Sequence, residues 1–313
     1  RLQEELGFQC ELRECCDFVY RTVFEDMLIE YELDHVYVGK YNGEVILNKN
    51  EASEIMWISL DENVFIKISP SNSNIIIKYL FERYGDEYFA CSDLAADWLY
   101  TKKTISSGKV KIINNAIDAK KFKFDNMERE KFRKDLNIDD KFIVGHVGRF
   151  SEQKNHTFLI DIFKEIYDVD KNSVLLLVGE GELENEIVEK VNNLGLKDNV
   201  IFYGLTKDIP KVLWGMDVFV LPSLFEGKPV VGIETQAAAL KTYMSNTITK
   251  TVKISNYIHY LDIKDSPKKW AKEILKTGKK YNRIDMEETI RKNNYDIVGV
   301  TKEIEEIYLR NIK

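Results

Sequence analysis

The chain has 313 residues, 44% of them hydrophobic and 31% charged, enough for two packed domains of about 150 residues each; this excludes a disordered chain, a collagen repeat and a disulfide scaffold. Its 45 Lys and Arg stand against 52 Asp and Glu, a net charge of −7, which argues against nucleic acid as a partner but leaves room for a local basic pocket. Four cysteines, three of them Cys10, Cys15 and Cys16, form no CxxC pair and no zinc spacing, so reduced thiols in the cytoplasm are expected. No apolar run approaches the roughly 20 residues of a membrane span, so any membrane contact is expected to be peripheral, at the inner face. The chain opens at Arg1 within a helical pattern, without Met or a signal peptide, and is expected to continue upstream.

Residues 1–62 carry 5 basic and 15 acidic side chains, whereas residues 63–313 carry 40 and 37. The polar run Ile68-Ser69-Pro70-Ser71-Asn72-Ser73-Asn74 follows this change and reads as a linker over 63–74. Before it come the end of a helix and strands expected over Arg13–Tyr20, Leu28–Val38 and Ile55–Ile58, with a hairpin-type turn at Asn42-Gly43. Sixty such residues leave a sheet face uncovered, so the segment reads as the back half of a larger α+β unit.

After the linker, short apolar strands alternate with helical periods, the signature of parallel βαβ units. Strands are expected over Lys141–Val147, Val174–Val178, Val200–Tyr203 and Val218–Leu221, and helices over Asp93–Tyr100, Asn155–Tyr167 and Leu183–Leu194. These elements predict an α/β fold, a Rossmann-like doubly wound parallel sheet with its ligand crevice at the carboxyl ends of the strands.

Three strand-to-loop junctions carry residues suited to a diphosphate with a sugar at each end. In Gly148-Arg149-Phe150-Ser151-Glu152-Gln153-Lys154-Asn155 two cations precede a helix start; they offer an anion a guanidinium fork and a point charge, although a solvated loop would also explain them. Val178-Gly179-Glu180-Gly181 lets a ligand approach the backbone, as glycines in any βα turn can. In Leu221-Pro222-Ser223-Leu224-Phe225-Glu226-Gly227-Lys228-Pro229, Glu226 stands on the loop, Pro229 suits the first helical turn, and Glu234 lies further along the helix. Two carboxylates there can accept hydroxyls from different parts of one ligand.

Together these residues resemble the C-terminal, nucleotide-sugar-binding domain of family 4 glycosyltransferases, retaining enzymes of the GT-B fold, and within that family the bacterial capsule and exopolysaccharide transferases. The resemblance covers roughly Ile75 to the end. It implies a remnant of the GT-B N-terminal domain and hinge over 75–118, through Asn114-Asn115-Ala116-Ile117-Asp118, and a donor-binding domain over 119–313. Arg149, Lys154 and Glu226 are implied as catalytic: the two cations on the donor diphosphate, Glu226 on the donor-sugar hydroxyls. Glu234 is implied for the ribose, Gly227 for main-chain contact, Gly148 and Gly179 for the nucleotide, and Gly204 and Leu205 for the base. The partners implied are a nucleoside-diphosphate sugar and a sugar or lipid-linked acceptor, with no cofactor required for glycosyl transfer.

Two departures stand out. The family's Gly-x-Pro after the helix is replaced by Ala238-Ala239-Leu240-Lys241-Thr242, which predicts a different exit from that helix. Its Gly-Gly-x-x-Glu element is replaced by Thr247-Ile248-Thr249-Lys250-Thr251, which predicts altered donor-sugar contacts. The acceptor half of the cleft is expected to be lacking from these residues, so the chain reads as a transferase whose competence is open, or as a non-catalytic nucleotide-sugar binder. His146 is expected as a satisfied core residue, and neither His156 nor His259 is given a role.

Arg1-Leu2-Gln3-Glu4-Glu5-Leu6-Gly7-Phe8 resembles the closing half of a Nudix box. Ile29-Glu30-Tyr31-Glu32-Leu33-Asp34-His35-Val36, Asn48-Lys49-Asn50-Glu51 and Trp57 resemble the isopentenyl-diphosphate isomerase branch of that family. The resemblance implies a partial Nudix-like segment over 1–62, with Glu4, Glu5, Glu30 and Glu32 as candidate Mg²⁺ ligands. Strand alternation places Glu30 and Glu32 on one face. The family's catalytic Cys would fall upstream of Arg1, which leaves an isomerase fragment as the alternative function.

Overall fold

A computed structural model describes residues 12–23, 29–39, 78, 82, 85, 87–278 and 281–311. The chain divides into two compact units, residues 1–88 with 96–111, and residues 89–95 with 112–313. The expected linker over 63–74, the strand over Ile55–Ile58, the turn at Asn42-Gly43, and Glu4 and Glu5 lie outside the described residues.

In the first unit β1 (Leu12–Val23) and β2 (Ile29–Gly39) pair antiparallel, with an irregularity between Glu14 and Cys16. Glu30 stands opposite Thr22 and Glu32 opposite Tyr20, so the two acids hold alternate positions of one strand. Nearer the boundary, Thr101 caps the helix Lys102–Ser106, and both Thr101 and Thr104 donate side-chain hydroxyls to Glu82. β3 (Tyr88–Ala90) and β4 (Val110–Ile112) form a short two-stranded sheet.

The second unit is built on six parallel strands: β5 (Phe142–Val147), β6 (Ser173–Val178), β7 (Val200–Gly204), β8 (Val218–Leu221), β9 (Lys241–Ser245) and β10 (Ile258–Leu261). Their spatial order is β10-β9-β8-β5-β6-β7, every pair parallel. The chain starts in the middle, winds out to β7, then returns to β8 and winds the other way. This is the doubly wound arrangement, with its reversal between β5 and β8.

Alternation along each strand supplies both cores. Ile143, Leu176, Phe219 and Met244 face one layer of helices, through Phe132, Leu213, Ile233 and Ile290. Val144, Leu175, Val218 and Tyr243 face the other, against Leu159, Phe163, Ile187 and Trp270. A sheet covered on both faces needs strands that are apolar throughout, which is why β5, β6 and β8 read as continuous apolar runs. β9 hides the same role behind polar letters. Its buried Thr242 and Ser245 hydroxyls are satisfied by the Leu240 and Ser223 carbonyls.

The expected change of exit from the helix Val230–Ala237 is not what the fold shows. Ala239 takes the left-handed conformation, φ 50°, and the N–H groups of Ala239 and Leu240 reach back to the Gln236 and Thr235 carbonyls. That is a Schellman cap made with alanine, because the two capping hydrogen bonds and the burial of the next strand offset the strain. A left-handed L-residue costs about 1–2 kcal/mol. Ala239→Gly is expected to raise stability by roughly 0.5–1 kcal/mol after the added chain entropy of glycine is subtracted, read as a rise in the urea midpoint at constant slope.

Candidate functional site

The switch point fixes where a ligand crevice opens. The loop after β5 and the loop after β8 leave neighbouring parallel strands at their carboxyl ends and diverge from there. The first runs through Gly148 to a short 3-10 turn, Glu152–Lys154, and then into the helix His156–Val169, with Asn155 left-handed at φ 55°. The second runs from Pro222 to Pro229, which precedes the helix Val230–Ala237.

The two loops are sewn together. The Leu224 N–H donates to the Gln153 carbonyl at 2.9 Å, and the Asn155 amide donates to the Pro222 carbonyl at 3.1 Å. Between them lies an ion pair, Lys154 Nζ to Glu226 Oε1 at 2.6 Å, with side chains only 17% and 8% exposed. The Ser223 hydroxyl donates to the same carboxylate oxygen at 2.9 Å, and the Gln153 amide donates to Oε2 at 3.2 Å. Glu226 is thus a buried carboxylate held by three donors, and such pairing offsets the cost of its burial.

Arg149 takes a different direction. Its Nε donates to Glu182 Oε2 at 3.0 Å, and its side chain is 73% exposed. It does not meet Glu226. An exposed pair of this kind contributes little, so the guanidinium is released at small cost to any stronger anion in reach. The Glu182 carboxyl is held below its ordinary range by its own backbone N–H and by the Arg149 charge.

The glycines of the three strand ends meet one another. The Gly148 N–H donates to the Val178 carbonyl and the Gly179 N–H to the Gly204 carbonyl. Gly179 has φ 136°, and a Cβ on it would stand 2.1 Å from the Gly148 carbonyl oxygen, so no other residue fits. Gly227 is the opposite case: among the described residues nothing lies within 4 Å of where its Cβ would be. Its lack of a side chain leaves open space beside Glu226. Leu205, after β7, is 72% exposed.

Glu234 lies on the helix Val230–Ala237, and its carboxyl makes no hydrogen bond or ion pair among the described residues. Burial alone raises its pKa to about 7. Beneath the site, His146 Nδ1 meets the Val220 carbonyl at 2.8 Å, but its Nε2 and both ring nitrogens of His156 have no partner among the described residues. The expectation of a satisfied His146 therefore holds for one nitrogen only. The rings stand edge to face at 4.7 Å, and His156 stacks on Phe150 at 4.3 Å. Burial first, then the Lys154 charge, lowers the His156 pKa to about 4; burial and the neighbouring His156 hold His146 well below its usual range.

The element that replaces Gly-Gly-x-x-Glu is joined to the site. The Ser245 and Thr247 hydroxyls donate to the Ser223 carbonyl at 2.6 and 3.0 Å, and the Ser223 hydroxyl in turn holds Glu226. Lys228 reaches away, to Asn114 Oδ1 at 2.6 Å and the Cys91 carbonyl at 3.3 Å. Sequence reasoning gave Gln153, Ser223 and Lys228 no role. Ser223 was legible in its fixed place three residues before Glu226; Gln153 carried no signal of its own, because its partner lies 73 residues away.

At the other end of the sheet a cavity of about 790 Å³ is bordered by Arg129, Arg283 and Asp217. Its arginines donate to main-chain carbonyls between Leu213 and Met216, and Arg129 also pairs with Asp217. Those guanidinium groups close a helix end and are not offered to a ligand. Among the described residues no group of three or more His, Cys, Asp and Glu could hold a metal ion, and no helix is long and apolar enough to cross a membrane.

The chain is similar to several known proteins. EpsF of Bacillus subtilis, assigned as a glycosyltransferase, is 31% identical over 211 residues, covering 66% of this chain and 55% of that protein. The structure of Anabaena HepE in complex with UDP superposes with a TM-score of 0.63 at 20% identity, over 78% of this chain and 70% of that one, and shares its α/β GT-B architecture. The N-terminal stretch is similar to isopentenyl-diphosphate Delta-isomerase 2 of Aromatoleum aromaticum, 48% identical over 62 residues, which are 20% of this chain and 33% of that protein. The chain spans about half the length of the glycosyltransferase EpsF and a third of the isomerase. The pattern of the family Glycosyl transferases group 1 matches residues 128–296, the β5–β10 sheet and both loops of the switch point, and the chain belongs to that family.

Proposed function

We propose that the second unit seats a nucleoside-diphosphate sugar at the carboxyl ends of β5 and β8, and that the glycosyl group passes from it, with retained configuration, to a polysaccharide or lipid-linked acceptor. The observation that carries this reading is the Lys154–Glu226 pair at the switch point, with open space at Gly227 beside it. In the transfer the bond from the anomeric carbon to the diphosphate oxygen breaks, a bond to an acceptor hydroxyl oxygen forms, and the proton of that hydroxyl passes to the leaving diphosphate. Negative charge develops on the leaving diphosphate, where Lys154 and Arg149, the latter swung off Glu182, stabilise it; such preorganised charge is usually the largest single contribution. No metal is required for this, because the two cations occupy the place of one.

Glu226 accepts from the donor-sugar hydroxyls, Gly227 contributes its main-chain N–H, and Glu234 accepts from the ribose. Gly148 and Gly179 allow the nucleotide close to the backbone, and Gly204 and Leu205 flank the base. HepE was crystallised with UDP, and the same nucleotide is the first ligand to try. Saturation at 100 times Kd adds about 2.7 kcal/mol to stability, so UDP or UDP-sugars without Mg²⁺ are expected to raise the melting temperature. No shift with any nucleoside diphosphate would refute the reading. Binding without transfer to any acceptor would leave a nucleotide-sugar binder. The isomerase-like stretch supports a second, separate reading, in which only isoprenoid diphosphate with Mg²⁺ shifts the melting.

Glu234 gives this reading a proton signature. Its carboxyl, raised to about 7, contributes stability that is present below its ordinary pKa of about 4.5 and lost as pH rises through 7. Ribose hydroxyls donate to the ionised form, so binding at pH 6 is expected to release close to one proton, and binding at pH 8.5 none. Calorimetry in buffers of different ionisation enthalpy reads this directly. Glu234→Gln should abolish the release, and Glu234→Ala should weaken nucleotide while leaving inorganic diphosphate affinity unchanged.

A further inference from the structure

The hydrogen bonds at Glu226 leave a countable remainder. Oε1 already accepts from Lys154 Nζ at 2.6 Å and from the Ser223 hydroxyl at 2.9 Å, which fills both of its acceptor positions. Among the described residues, Oε2 accepts from Gln153 Nε2 alone, at 3.2 Å. The second hydrogen of that amide goes to the Phe225 carbonyl at 3.0 Å. Both neighbours of the amide nitrogen are acceptors, so the orientation of the Gln153 side chain is fixed by chemistry. One acceptor position on the carboxylate therefore remains, on the oxygen that Gln153 holds.

We infer that Gln153 is the positioning residue for donor-sugar recognition: it aims Glu226 Oε2 at a single sugar hydroxyl. This rests on Glu226 being the sugar-facing acid, as proposed above, and deepens that reading. The side chain does this alone. The main-chain bond from the Leu224 N–H to the Gln153 carbonyl survives any substitution, so the two loops remain joined and Lys154 remains beside Glu226 when the amide is removed. Ser223, tied to Ser245 and Thr247, anchors the other oxygen. Without Gln153 the carboxylate is still held, but at Oε1 only, and is free to turn about that anchor. Affinity for the diphosphate, which rests on the cations, stays; the increment contributed by the sugar goes.

The test uses the full chain and four probes, UDP, UDP-glucose, UDP-galactose and UDP-N-acetylglucosamine, titrated calorimetrically at pH 8. Gln153→Ala is expected to bind UDP within two-fold of the unaltered chain and the best-bound of the three sugars about five-fold more weakly, the effect of one ordinary hydrogen bond. Gln153→Glu, nearly isosteric, puts a like charge against Oε2, so its loss for the sugar exceeds that of alanine and shrinks as pH falls toward 5 and the two acids share a proton. A residue that only shaped the loop, through its bond to the Phe225 carbonyl, would weaken UDP and UDP-sugar alike in both variants. The inference is overturned if UDP and UDP-sugar lose affinity equally, or if Gln153→Ala binds all four as the unaltered chain does. If the unaltered chain binds none of the four, the underlying reading fails, and the inference with it.

Discussion

Lys154→Ala is expected to cost both stability and nucleotide affinity, and Arg149→Ala affinity alone. Lys154 neutralises a carboxylate whose side chain is 8% exposed. Breaking a buried pair from one side typically costs about 3–5 kcal/mol; here the Ser223 and Gln153 donors remain, and a loss of about 2–3 kcal/mol follows. Arg149, 73% exposed on its partner Glu182, should change stability by no more than about 0.5 kcal/mol. Each variant should weaken nucleoside diphosphate binding by about 1.5–3 kcal/mol, the range of a charge-assisted hydrogen bond. Denaturant unfolding beside calorimetry separates the two effects. The double variant Lys154→Ala with Glu226→Gln should recover most of the stability and none of the affinity. If Arg149→Ala and Lys154→Ala both bind UDP as the unaltered chain does, the crevice between β5 and β8 is not a diphosphate site.

Acid should unfold this domain earlier than its carboxylates alone require, through His156. With its pKa lowered to about 4 against about 6.5 in an unfolded chain, the unfolded state takes up a proton that the folded state refuses. Stability from this group is whole above pH 6.5 and is lost as pH falls through 4, by about 3 kcal/mol in all. His146, also held low by burial and by its neighbour, acts in the same direction. Glu234 acts in the opposite one, so the comparison must be between variants. His156→Phe keeps the stack on Phe150 and removes two unpartnered nitrogens. It should be at least as stable at pH 7 and fall away from the unaltered chain's stability curve, on the stable side, as pH drops to 4. Parallel curves would show that His156 finds a partner the fold does not reveal.

The sheet was legible in the sequence because its central strands are covered on both faces. Leu175-Leu176-Leu177 has no polar face to hide, and helical spacing in the partners marked what covers it. β9 was not legible: Lys241-Thr242-Tyr243-Met244-Ser245 reads as a surface strand until the carbonyls that take its hydroxyls are placed. Ala239 shows the limit of residue preference, since its helix ends in a left-handed cap without glycine. The same contrast runs through the site. The loop positions of Lys154 and Glu226 were legible from the apolar strands before them, and their meeting follows from the strand order. The direction of Arg149 was not, because a long exposed side chain pairs with whichever acid lies nearest, here Glu182 across a neighbouring loop. The hydrogen bonds of Gln153 were not legible either, because their partners Phe225 and Glu226 lie on a loop that only the folded chain brings beside it.

A crystal structure of the chain grown with UDP would show whether a diphosphate sits between the β5 and β8 loops. Phosphate oxygens are expected within hydrogen-bond distance of Lys154 Nζ, with the Arg149 guanidinium turned from Glu182 onto the diphosphate and Glu234 on the ribose. UDP bound elsewhere on the unit, or seated there with its phosphates touching neither cation, would contradict that placement.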